Sequence, residues 1–176
     1  MQIFLDLARL CFFPALMAFA ASSDLLTMTI SNRVSLLLLA GFAVMAGLGG
    51  MPMAEVLQHG AAGLIILVAS FACFAMGWIG GGDAKVASAA ALWLGLAHLL
   101  NYLLYASLFG GALTLLLLQF RQWPLPVMLG RHDWLQRLHV KDADIPYGIA
   151  LALGALMIYP ETEWTKAVDL TRLALA

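Results

Sequence analysis

AKVASAAALWLGLAHLLNYLLYASLFGGALTLLLLQF, residues 84–120, carries a single charged side chain, Lys85, along its whole length. A helix needs about 20 apolar residues to cross the hydrocarbon of a bilayer. The stretch is too long for one crossing and about right for two, with the turn expected around Gly95, His98 and Asn101. Working outward, the same ruler finds residues 3–21, 34–50 and 60–79 before it and a shorter run, 145–159, after it. The expected fold is an all-α polytopic membrane protein of about six transmembrane helices, residues 1–160 forming one helical domain. Composition agrees. Of 176 residues, 63% are apolar and only 11% charged, with mean hydropathy +0.93; a soluble domain is nearer half apolar and a quarter charged.

The remaining segments read as accessories. Residues 161–176 alternate Glu163, Lys166, Asp169 and Arg172 with Trp164, Val168, Leu170 and Leu173, a pattern that suits an interfacial amphipathic tail. Ala18-Phe19-Ala20-Ala21 has the look of a signal-peptidase site, but residues 1–10 hold one Asp and one Arg rather than a positive n-region, so the first span is expected to be retained. Cys11 and Cys73 lie in separate apolar runs without Cys-x-x-Cys spacing, as small buried hydrophobes do. A net charge of −1 gives no reason to expect nucleic acid as a partner.

Cationic residues set the orientation. Arg33, Lys85, Arg121, Arg131, Arg137 and Lys141 fall on one side of the six spans, against Arg9, Lys166 and Arg172 on the other. The first side is expected to be cytoplasmic, which leaves both termini periplasmic. Asp24 follows one crossing and Asp83 follows three, so these two acids share a face in either orientation.

That shared face is where chemistry is expected. Charged side chains at membrane depth are costly and mark functional positions. Asp83 ends Gly80-Gly81-Gly82-Asp83, where bare backbone permits close approach. Two carboxylates brought within a few ångströms cannot both ionise cheaply, and so share a proton. One can then deprotonate a water while the other donates to a peptide carbonyl, with no metal or cofactor. Plainer roles compete: Asp24 as a helix-end acid facing water, and Asp83 as the N-cap of the helix that follows. In a third, non-enzymatic reading both acids bind a coupling cation in a small transporter or channel subunit, although no internal repeat supports it.

Other polar residues attract duller explanations. Lys85 suits tuning of the acid pair, binding of lipid headgroups, or snorkelling to the interface; Asn32 suits a cross-site hydrogen bond or a turn. His132, Asp133 and His139, interleaved with Trp134, Leu135 and Leu138, read as a short interfacial helix rather than a metal site. Ala87-Ser88-Ala89-Ala90-Ala91 suits close helix packing, and Asp6 with Arg9 an ion pair at i, i+3.

Gly80-Gly81-Gly82-Asp83-Ala84-Lys85 resembles the Gly-x-Gly-Asp-x-Lys signature of the type IV prepilin peptidases, intramembrane aspartic proteases of the GxGD type. Asp24, followed by Ile30-Ser31-Asn32, resembles that family's Asp and Ile-Pro-Asn element, with Ser31 where proline is usual. Ile145-Pro146-Tyr147-Gly148 is similar to the opening of its last span. The resemblance implies catalysis by Asp24 and Asp83, with Gly80, Gly82, Lys85 and Asn32 in support. It also implies a bacterial inner-membrane location with the site facing the cytoplasm, a lipid environment, and a prepilin or pseudopilin substrate bearing a single apolar helix and a basic leader. The long forms of the family carry an insert with paired Cys-x-x-Cys motifs and methylate the new N-terminus. This chain has no such insert and resembles the short form of tight-adherence (Flp) pilus systems, which implies protease activity without methyltransferase. A related GxGD protease acting on another single-span, preflagellin-like substrate is the nearest alternative.

Overall fold

A computed structural model of the chain describes residues 2–125, 132–141 and 143–168. Its elements are helices α1 (Gln2–Thr27), α2 (Asn32–Gly49), α3 (Met53–Ala75), α4 (Gly81–Phe120), α5 (Asp133–His139), α6 (Tyr147–Ile158) and α7 (Glu163–Lys166), with a 3-10 turn at Tyr159–Glu161. Helices α1 to α4 are long and apolar enough to cross a membrane. Leucines on their outer faces, such as Leu36, Leu64, Leu100 and Leu115, are exposed, as lipid-facing side chains would be.

Helix α4 is interrupted at Gly95, whose φ of 73° and ψ of 174° are non-helical. Contacts fix the direction of each half. Trp93 stacks near Phe12 and Phe13 of α1, while Asp83 shares a cavity with Asp24 at the other end of α1, so the first half runs antiparallel to α1. Helix α6 is antiparallel to α1 as well: Gly148 meets Asp24, and the Tyr159 hydroxyl donates to the Arg9 carbonyl at 2.6 Å. A Cβ on Gly154 would meet Ala106, and one on Gly110 would meet Tyr147, so the second half of α4 opposes α6. The chain therefore turns back on itself at Gly95. His98 and Asn101, expected in the turn, lie in the helix beyond it.

The reversal is built from specific parts. Few L-residues adopt the Gly95 backbone, and a Cβ there would stand 3.0–3.2 Å from the His59 ring. The break leaves carbonyls that a continuous helix would have satisfied. The His59 Nδ1–H donates to the Leu92 carbonyl at 2.7 Å, and the Trp164 Nε1–H to the Trp93 carbonyl at 2.8 Å. Trp93 is fully buried, donates to the Leu38 carbonyl at 2.8 Å, and packs against Phe42, Tyr159 and Trp164. This aromatic knot closes the end of the bundle opposite the aspartates.

Small residues set the helix spacing, as expected in lipid. Ala87, Ala89, Ala90 and Ala91 are buried, and the Ser88 hydroxyl donates to the Gly63 carbonyl at 2.8 Å. Asp6 and Arg9 form the expected ion pair, at 3.5 Å. Helix α5 occupies the site of the short helix expected around His132 to His139. Of the C-terminal tail, Thr162 and Trp164 are buried in the bundle; residues 169–176, which carry the rest of the amphipathic pattern, lie outside the described residues, as does Arg131.

Candidate active site

The apolar run that starts α1 ends at Ala21, but the helix does not. The Ser22 hydroxyl donates to the Ala18 carbonyl at 2.8 Å and the Thr27 hydroxyl to the Ser23 carbonyl at 2.7 Å, so polar side chains are absorbed into the helix. It runs to Thr27, and Met28 leaves it with φ 55°. Asp24 thus does sit at a helix end, in the last turn of α1, but it is only 5% exposed and does not face water.

Its partner comes from α6. Pro146, which has no N–H to satisfy, occupies the N-cap position, and the Gly148 amide donates to Asp24 Oδ2 at 2.7 Å. A helix N-terminus presents free amides to an anion, and here the anion is the Asp24 carboxylate. Glycine is required for that approach. A Cβ on residue 148 would lie 2.8 Å from Asp24 Oδ2 and 2.7 Å from Ile30 Cδ1.

Asp83 arrives by a different route. The N-cap of α4 is Gly80, with extended φ −71° and ψ 146°, so Asp83 is a first-turn residue and not the N-cap of the plainer reading. Its carboxylate folds back over Gly80, where a Cβ would meet Oδ2 at 3.0 Å. Gly81 lies against Phe74, and Gly82 against Ile30, whose Cβ would be 3.3 Å from a methyl there. Ile30 therefore touches the glycines that serve both aspartates. It was visible in the sequence only as part of a motif.

Asp24 and Asp83 open onto one cavity of about 250 Å³, together with Gly80, Trp78, Tyr147 and a third acid, Asp144. Asp144 has no role in the sequence reading; its place just before the last apolar run was the available signal. Gly148 was quoted there too, without a role. Gly82 does not line the cavity; it packs against Ile30.

Lys85 and Asn32 are elsewhere. The Lys85 Nζ donates to Asn32 Oδ1 at 2.8 Å, and both line a separate groove of about 560 Å³, with Ser35, Gly60 and Gly63. Residues two apart on a helix point about 200° away from each other, so Lys85 turns its back on Asp83. His139, in α5, packs edge-on against Phe120, with ring centres 5.2 Å apart.

Two carboxylates from different helices, facing one small cavity, have the composition needed to activate a water against a carbonyl carbon. The profile of the type IV leader peptidase family matches residues 11–115, more than half of the chain. The matched span contains Asp24, Asp83 and the glycines before it, and ends short of Asp144 and Gly148. No curated protein and no solved structure matches the chain.

Proposed function

This chain belongs to the type IV leader peptidase family, and on that premise we propose that it cleaves the basic leader from Flp-like type IV prepilins, with Asp24 and Asp83 as the reacting pair. The observation that carries the reading is the common cavity of the two acids, one from α1 and one from α4. Asp24, holding a charge-assisted hydrogen bond from the Gly148 amide, suits the ionised partner. It takes a proton from water as the oxygen attacks the scissile carbonyl carbon, while protonated Asp83 donates to the carbonyl oxygen. Collapse of the tetrahedral diol then breaks the C–N bond: the proton on Asp24 passes to the leaving nitrogen while Asp83 takes one back from a diol hydroxyl, which releases acid and amine and restores both carboxyls. Atoms and protons balance with no covalent intermediate.

Counted with the reversal at Gly95, the helices make six crossings. The first half of α4, residues 81–94, is about 21 Å long and α6 about 18 Å, both shorter than the roughly 30 Å of hydrocarbon. Asp83 and Gly148 lie at the N-terminal ends of these two short helices, which suits a site below the interface. The aspartate side carries Arg33, Lys85, Arg121, Arg137 and Lys141, which supports a cytoplasmic site at the inner membrane with both termini periplasmic. The substrate's apolar helix stays in the bilayer as its anchor. The activity is proteolysis alone, since no insert with paired Cys-x-x-Cys motifs interrupts the helices.

The test is incubation of the purified protein in detergent with a single-span prepilin, followed by intact mass measurement. Loss of the leader's mass is expected. An unaltered prepilin, under conditions where a known leader peptidase cuts it, would contradict the reading.

A further inference from the structure

We infer that Arg121 is a positioning residue for the peptidase reaction, and that with Arg137 it closes a ring of hydrogen bonds around Asp24. The inference rests on the function proposed above. Arg121 caps the end of α4 and is only 7% exposed. Its guanidinium donates from Nε to the Leu138 carbonyl at 2.8 Å and from its terminal nitrogens to the carbonyls of Lys141 at 3.3 Å and Asp144 at 3.0 Å. Leu138 stands in the last turn of α5, where helix carbonyls lack partners. Lys141 and Asp144 belong to the non-helical link to α6. A planar fork with five N–H groups is suited to gathering three carbonyls at once.

The ring closes through α1. Arg137, on α5, donates to the Leu26 carbonyl at 2.6 Å, two residues beyond Asp24. Asp144 lies four residues before Gly148, whose amide holds Asp24. The path from Asp24 through Leu26, Arg137, Leu138, Arg121, Asp144 and Gly148 returns to Asp24. Neither arginine lines the cavity. Their effect is to fix where the first amides of α6 stand relative to the α1 carboxylate, and with them the Asp144 side of the cavity mouth. Misplacement of a reacting group by about 1 Å costs on the order of 10²-fold in rate, so loosening this link should appear in turnover.

Arg121→Lys is the informative variant, because it keeps the charge and most of the stem but only a single donor head. Hydrogen exchange at the Gly148 amide, read at single-residue resolution on the detergent-solubilised protein, needs no substrate. Prepilin cleavage by the same preparation gives kcat and KM. Arg121→Lys should speed Gly148 exchange and lower kcat by about tenfold to 10²-fold, with KM and membrane abundance unchanged. Arg137→Gln should do the same more weakly, since its bond is exposed. Wild-type exchange at Gly148 in Arg121→Lys overturns the inference whether or not prepilin is the substrate. Faster exchange with an unchanged kcat also overturns it, because the ring would then be merely structural. If the wild-type protein cleaves nothing, the function proposed above fails on its own and the exchange result still decides whether Arg121 positions Gly148.

Discussion

Gly148→Ala places one methyl group where the account is most exposed to test. The new Cβ would meet Ile30 Cδ1 at 2.7 Å, Asp24 Oδ2 at 2.8 Å and Asp24 Cβ at 3.0 Å. All three neighbours are part of the site, and relief requires α6 to back away or the carboxylate to swing out. Either movement breaks the 2.7 Å bond from the Gly148 amide. A hydrogen bond to a charged group contributes about 1.5–3 kcal/mol, which corresponds to roughly 10- to 150-fold in rate at about 1.4 kcal/mol per decade. The loss should fall on kcat, since this amide is spent on Asp24. Initial rates of prepilin cleavage in detergent, normalised to folded protein, measure it. Gly111→Ala is the matched control, because nothing lies within 4 Å of a Cβ there. A Gly148→Ala enzyme with wild-type kcat would refute the reasoning that Asp24 is held from α6.

Three further outcomes follow from positions around the site. Gly95→Ala forces an L-residue into a glycine-only conformation, at about 1–3 kcal/mol, and pushes on His59; thermal melting in detergent should drop by several degrees, and an unchanged midpoint would contradict the reversal at Gly95. Lys85→Ala should leave kcat unchanged, because Lys85 bonds Asn32 in a separate groove; a large fall in kcat would show that its charge reaches the pair after all. Asp144→Lys should raise KM for a basic leader by about two- to fivefold, as a rim charge pair is worth up to about 1 kcal/mol, and neutralising the leader should erase the difference; equal KM values for both leaders would remove Asp144 from substrate recognition.

Much of this architecture was legible because membranes impose a length rule. The 37 apolar-rich positions of residues 84–120 had to be divided in two, and the parity of crossings then put Asp24 and Asp83 on one face. What sequence could not supply was direction within a helix end. Asp24 read as a helix-end acid facing water because the apolar run stops at Ala21, yet Ser22 and Thr27 spend their hydroxyls on backbone carbonyls and carry the helix onward, and the Asp24 side chain is buried. Asp83 looked like a cap because an acid precedes a helical run, but Gly80 takes that place and sends Asp83 into the first turn. Lys85 follows Asp83 so closely in sequence that a shared role was natural; helical geometry turns the two apart. Gly148 and Asp144 stood in or beside a quoted motif, but their contacts with Asp24 and Arg121, like those of Arg121 with Leu138, join distant segments that no local pattern encodes. The break of α4 was placed correctly at Gly95 but spread too far, toward His98 and Asn101, since polarity marks a turn less sharply than the one residue able to adopt its backbone.

The central claim is that Asp24 and Asp83 together carry the reaction. Its most direct test is the rate of prepilin cleavage by purified Asp24→Asn and Asp83→Asn enzymes at matched, folded abundance. Asn preserves the shape of each side chain and removes the titrating proton. A positioned general acid or base contributes about 10²- to 10⁴-fold, so each variant should lose cleavage by at least about 10²-fold. Cleavage near the wild-type rate by either one would contradict the account.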